Sequence, residues 1–148
     1  PAVTYQKLLL QNGEALKRGD FKQVVDGYLS AETYFKQFTL SRFNIPYVSL
    51  FDYTKSCNDN NYILFVINWY SEKKDYDNAF GLLKTLCDRR YPANYTKNIQ
   101  TSLGTAVALR DHDKMPTTSG KAKVLEYTLG NKWYKYFKKA YVSTWKKF

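Results

Sequence analysis

Only two cysteines, Cys57 and Cys87, occur in the 148 residues, which excludes a disulfide scaffold and a cysteine-rich zinc site. One bridge between them stays open. By position, Cys87 reads as a small apolar residue on a buried helix face and Cys57 as the end of a helix near the surface. Histidine is scarcer still: His112 is alone, between Asp111 and Asp113 in a polar stretch read as a solvated loop. Nucleophilic catalysis by Ser or Cys usually needs a His base, and Asp-His-Asp has no second ligand cluster with which to hold a metal. Glycine is thinly spread, with no Gly-rich run before a Lys-Ser or Lys-Thr pair, so a phosphate-binding loop is absent. The 13 acidic residues sit mostly where helix caps and exposed faces are expected, and they form no convincing acid–base pair.

Long apolar runs are also missing. The longest, Tyr62 to Ile67 with Trp69 and Tyr70 just beyond, is about half of the roughly 18 residues a membrane helix needs, so no membrane span is expected. These absences leave a chain that binds something and does not transform it, with no cofactor. The chain opens at Pro1 with no initiator Met, which together with the high Tyr content turns the expectation towards an exported, periplasmic or surface protein. The triplet Asn94, Tyr95, Thr96 is a glycosylation acceptor pattern that matters only in a glycosylating secretory pathway.

Large rings are abundant: 14 Tyr, 9 Phe and 3 Trp. A chain of this length buries enough surface to fold as one domain by packing alone, and the core should be built from those rings. Their arrangement is helical. Tyr5, Leu8, Leu9, Ala15 and Leu16 recur at helical spacing and end in Lys17, Arg18, Gly19, a positively charged helix end followed by a residue free to turn left-handed. Asp20 follows as an N-cap with Gln23 three residues on, opening the stripe Phe21, Val24, Val25, Tyr28, Ala31 and Phe35. Helices joined by so short a turn pack antiparallel.

Pro46 suits the first position of a short helix carrying Tyr47, Leu50 and Phe51 inward, and Cys57 to Asn61 reads as a turn. The run from Tyr62 to Ile67 has the composition of a buried strand, but the polar end Ser71 to Lys74, the cap Asp75 and the stripe Tyr76, Ala79, Phe80, Leu83, Cys87 make it the first helix of a second pair.

The two pairs resemble tetratricopeptide repeats, in which each unit is a helix pair with a small residue at the crossing and an aromatic after the turn. Gly19, Asp20, Phe21 and then Val24, Tyr28 and Ala31 match in the first; Lys74, Asp75, Tyr76, Ala79, Leu83 and Leu86 match in the second. The resemblance departs from the family where Asp20 and Asp75 stand 55 residues apart instead of 34, and where both first helices lack a Leu-Gly pair. After Pro92 the stripe Ile99, Leu103, Ala106, Val107, Arg110 opens a third pair, and Leu103-Gly104 resembles the missing dipeptide. The polar stretch from Asp111 to Gly120 reads as a loop, Ser119 caps a short helix through Val124, Leu125 and Leu129, and Asn131 caps the last helix.

The fold expected is therefore all-α: one domain of antiparallel helix pairs stacked as a short TPR-like right-handed superhelix, closed by a C-terminal capping helix. The resemblance implies a concave groove for a protein or peptide, lined by Gln6, Leu9, Gly13, Leu16 and Lys17 of the first pair and by Asn61, Leu64, Asn68 and Ser71 of the second. Leu9 and Leu64 serve equally well as core.

The charge supplies an alternative. The net charge is +10, and from Gly120 to Phe148 there are eight lysines against one acid, Glu126. On a helical wheel Trp133, Phe137, Ala140, Tyr141, Thr144, Trp145 and Phe148 fall on one side and lysines largely on the other. Lys132, Lys135, Lys138, Lys139 and Lys146 thus form a candidate face for nucleic acid, with Tyr134 and Tyr136 among them as possible stacking rings. Every basic residue there is Lys, which suits a plain solvated helix surface as well.

Overall fold

The computed structural model describes residues 2–36, 48–114 and 132–148, with backbone alone for residues 2–5, 34–36, 114 and 132. Among the described residues there are seven α-helices and no strand: α1 Ala2–Arg18, α2 Phe21–Lys36, α3 Leu50–Ser56, α4 Asn60–Glu72, α5 Tyr76–Asp88, α6 Lys97–Lys114 and α7 Lys135–Trp145. Short 3-10 turns, Ala93–Tyr95 and Lys132–Tyr134, precede α6 and α7. The chain divides into two compact units, Pro1–Val66 and Ile67–Phe148.

In the N-terminal unit α1 and α2 pack as the expected pair. Gly19 adopts φ +76°, its N–H donates to the Leu16 carbonyl (3.0 Å), and the Asp20 N–H donates to that of Ala15 (2.9 Å). This paired closure satisfies carbonyls that the last turn of α1 would otherwise leave bare. Asp20 then accepts from the Gln23 N–H (3.3 Å) to start α2. The helices approach closely where Gly27 faces the buried Asn12; a Cβ on Gly27 would collide with the Asn12 side chain. Beyond the pair, aromatic rings form the core: Tyr28 stacks on Tyr53 at 4.3 Å, and Phe21 meets Tyr62 and Phe65 at 5.6 and 5.8 Å. The Thr54 hydroxyl donates to the Tyr62 phenol (3.1 Å), which keeps two buried hydroxyls paired. Burial, with the Cys57 thiol beside it, pushes the Tyr53 phenol up to about 12.

Three expectations change here. The short helix begins at Leu50, capped by Ser49, whose hydroxyl accepts from the Asp52 N–H (3.1 Å); Pro46 and Tyr47 lie outside the described residues. Asn60 and Asn61 are already helical, because Asp59 caps α4 by accepting from the Tyr62 N–H (3.1 Å). Cys57 is buried and Cys87 half-exposed, the reverse of the sequence reading, and both thiols are free of any disulfide.

The C-terminal unit repeats the turn chemistry. Lys74 and Arg90 both take a left-handed backbone, φ 62° and 57°. The Lys74 and Asp75 N–H groups donate to Ser71 and Tyr70, and those of Arg90 and Tyr91 donate to Cys87 and Leu86. Asp75 then caps α5, accepting from the Asn78 N–H (3.3 Å). The turns Gly19-Asp20-Phe21 and Lys74-Asp75-Tyr76 thus share one hydrogen-bond pattern, but only the first uses the residue that adopts φ > 0 without strain. Lys74→Gly is accordingly expected to raise stability by about 0.5–1 kcal/mol, read as a higher urea midpoint, while the same change at Lys73 lowers it.

The most extensive helix contact of this unit joins α6 to α7. Gly104 allows it: a Cβ there would lie 2.5 Å from the Phe137 carbonyl oxygen and 3.2 Å from the Ala140 methyl. Leu103, Val107 and Ala108 of α6 and Phe137 and Tyr141 of α7 are buried. Phe80 of α5 stacks on Tyr134 and meets Phe137 edge-on, at 5.1 and 5.3 Å. The Trp133 indole donates to the Tyr91 carbonyl (2.7 Å), and Trp145 stacks on Tyr141 at 5.9 Å.

Two polar residues complete this contact. Gln100, fully buried, donates to the Thr96 hydroxyl (2.9 Å) and accepts from the Phe137 N–H (3.3 Å), so a side chain of α6 caps the first turn of α7. The side chain of Tyr134, the cap residue itself, makes no such bond, and Asn131, the expected cap, lies outside the described residues. Asp111 accepts from the Tyr141 hydroxyl at 2.8 Å. The loop expected from Asp111 is therefore helix as far as Lys114; residues 115–131, with the short helix expected from Ser119, lie outside the described residues. His112 stacks on Phe148 (3.6 Å) and meets Trp145 (5.3 Å), so it is packed where a solvated loop was expected.

Candidate functional site

Within the C-terminal unit, the end of α4, the first residue of α5 and one face of α6 border an open cleft of about 240 Å³. Its walls are Asn68, Ser71, Glu72, Tyr76, Ile99, Ser102, Leu103 and Ala106. The four α6 residues recur at steps of three, one and three, which sets them in one stripe. On α4 the spacing of Asn68, Ser71 and Glu72 does the same. The left-handed turn at Lys74 ends α4 and brings Tyr76 to the cleft as the first residue of α5.

The walls combine an apolar floor with polar edges. Ile99, Leu103 and Ala106 supply the apolar surface; Asn68 and Ser102 are exposed and offer donors and acceptors. The Ser71 hydroxyl oxygen is buried with no hydrogen-bond partner among the described residues. Glu72 is the one charge on the lining. Tyr76 is held from behind, since the Arg110 guanidinium lies over its ring at 5.7 Å and reaches Asp77 and Asp111 at 3.3 Å each. Asp111 is in turn anchored by Tyr141. The wall is thus braced from α7 through α6 to α5.

The sequence-derived groove residues divide between the units. Asn68 and Ser71 line the cleft. Gln6, Leu9, Gly13, Leu16 and Lys17 share one face of α1; Gln6, Leu9 and Lys17 are exposed, Gly13 and Leu16 half-buried, and Leu10 beside them is 68 % exposed. Asn61 is exposed and Leu64 half-buried on α4 in the N-terminal unit. Sequence reasoning missed Glu72 and Tyr76 and assigned Ile99, Leu103 and Ala106 to a helical stripe without seeing that it lines a cleft. The usable signal was the stripe itself, since Ile99, Ser102, Leu103 and Ala106 share one face of α6 by spacing alone.

The lysine face is also present. Lys135, Lys138, Lys139 and Lys146 are all exposed; the Lys132 side chain lies outside the described residues. Tyr134 is buried against Phe80, which pushes its phenol upward and removes it as a stacking ring. Tyr136 is half-exposed, with the Lys97 and Lys135 ammonium groups over its ring at 5.2 and 4.9 Å.

Among the described residues no helix is long and apolar enough to cross a membrane. No protein-family model matches the chain, and no curated protein or solved structure matches it either.

Proposed function

We propose that the chain is a divergent TPR-like helical-repeat module, without enzymatic activity, that binds a protein or peptide segment. The cleft carries this reading. Its volume of about 240 Å³ lies below the roughly 300–1,000 Å³ of small-molecule and cofactor sites and suits one or two anchoring side chains. The apolar stripe of α6 would take the anchor, while the exposed Asn68 and Ser102 would meet backbone groups of the bound segment. The matching turns at Gly19-Asp20 and Lys74-Asp75 support the repeat character. Within the N-terminal unit, the face of α1 bearing Gln6, Leu9, Gly13, Leu16 and Lys17 leaves Leu9 exposed, with Leu10 exposed beside it.

Selection from a displayed random-peptide library, followed by affinity measurement, tests it. Ala106→Trp fills the cleft from a half-buried wall position and is expected to weaken the selected peptides roughly tenfold or more, about 1.4 kcal/mol, with the far-UV spectrum unchanged. Peptides that bind the filled variant as well as the parent would sink the proposal.

A further inference from the structure

The solvent face of α7 is an ordered row of positive charge. At 3.6 residues per turn, Lys138, Lys135, Lys146 and Lys139 fall within an arc of roughly 100°, opposite the buried Phe137, Tyr141 and Thr144. From Lys135 to Lys146 the row runs about 16 Å along the axis, with Lys135 and Lys139 about 6 Å apart. Lys97 extends it sideways from α6, its ammonium sharing the Tyr136 ring with that of Lys135. None of these five lysines has an ion pair among the described residues, whereas Lys22 on α2 is paired with Asp26 at 2.9 Å. From Lys132 to Phe148 the sequence contains no acidic residue.

We infer that this face binds the phosphodiester backbone of nucleic acid, by charge and without reading sequence. The row holds no exposed aromatic or aliphatic anchor, and lysine is depleted from the cores of protein–protein interfaces, so an acidic protein surface fits it poorly. Phosphates ask for less: a compact ammonium engages one as a point charge. Base reading is excluded by the same side chains. The face has no arginine fork, Trp133 is tied to the Tyr91 carbonyl, Tyr134 is buried, and the Tyr136 ring is already covered by two ammonium groups. None of the five lysines lines the cleft, so this surface acts independently of peptide binding.

Fluorescence anisotropy with a short mixed-sequence DNA duplex, titrated between about 50 and 200 mM salt, is the test. Five neutralised phosphates give a slope of roughly −4.5 in log K against log salt, the same for unrelated sequences. Changing Lys135, Lys138, Lys139 and Lys146 to Gln is expected to flatten the slope to roughly −1 and weaken low-salt binding about 100-fold or more. Changing Lys7, Lys22, Lys55 and Lys84 to Gln removes the same charge from elsewhere and leaves the slope in place. Acetylation footprinting needs no substitution, and bound duplex should protect Lys97, Lys135, Lys138, Lys139 and Lys146 while Lys7 and Lys22 stay reactive. Equal losses in the two quadruple variants, uniform footprinting, or no binding at low salt would overturn the inference. Poly-glutamate competing as well as duplex at equal charge would assign the face to acidic protein segments instead.

Discussion

Asp111→Ala is expected to cost about 3 kcal/mol, lowering the melting midpoint by roughly 10 °C. The carboxylate is 2 % exposed, and its two oxygens hold different partners, one accepting from the Tyr141 hydroxyl at 2.8 Å and the other facing the Arg110 guanidinium at 3.3 Å. Deleting it removes the acceptor of the Tyr141 hydroxyl and the buried carboxylate beside Arg110, whose other carboxylate contact, Asp77, has an 82 % exposed side chain and pairs weakly. Asp111→Asn keeps an acceptor for Tyr141 and should lose less, about 1–2 kcal/mol. A double-mutant cycle with Tyr141→Phe isolates the hydroxyl contact, because the two losses overlap where the bond is shared. An Asp111→Ala variant within about 0.5 kcal/mol of the parent would show that the carboxylate does not tie α6 to α7.

The second large effect is a reversal of sign between two helical glycines. Ordinarily Gly→Ala inside a helix gains up to about 1 kcal/mol from backbone entropy and propensity. Gly13 has nothing within 4 Å of an added Cβ, so Gly13→Ala should gain roughly that amount. At Gly104 the added atom meets a backbone carbonyl oxygen, and the only relief is to push α7 away from α6. Gly104→Ala is therefore expected to lose about 1–2 kcal/mol net, and Gly104→Val about 3 or more, since two further methyl groups must be housed. Paired thermal melts of the Gly13 and Gly104 variants decide the matter; two shifts in the same direction would refute the close crossing.

Features with local causes could be read from the chain alone. The stop at Gly19 and the caps at Asp20 and Asp75 depend on residues within one turn of each other, and the helical identity of the Tyr62–Ile67 run on the end signals and stripe that follow it closely in the chain. The failures share a different cause. Asp111 reads as a loop residue because a buried carboxylate needs a partner, and its partner is 30 residues away in Tyr141. Gln100 gives no sign of capping a helix whose N–H lies 37 residues further on. Six of the eight cleft residues were missed for the same reason: Asn68 and Ser71 follow from the helix-pair pattern, but Tyr76 and the α6 residues meet them only once the fold brings α6 beside the end of α4. The short helix was misplaced by a weaker competition, in which Pro46 offered a start signal but Ser49 supplies the actual cap.

The placement of tryptophan decides what optical experiments can see. Trp69, Trp133 and Trp145 all belong to the C-terminal unit, where one indole is hydrogen-bonded, one is stacked on a phenol, and Trp69 lies under the Lys73 ammonium at 5.8 Å. Indole emission is consequently a private signal of that unit. A transition followed at tryptophan wavelengths reports Asp111 and Gly104 variants directly and is blind to α1 and α2, whose melting would register only in the far-ultraviolet helix band. Coincident curves by the two probes would mean that both units unfold as one cooperative body, and separated curves that each half of the chain keeps its own thermodynamics.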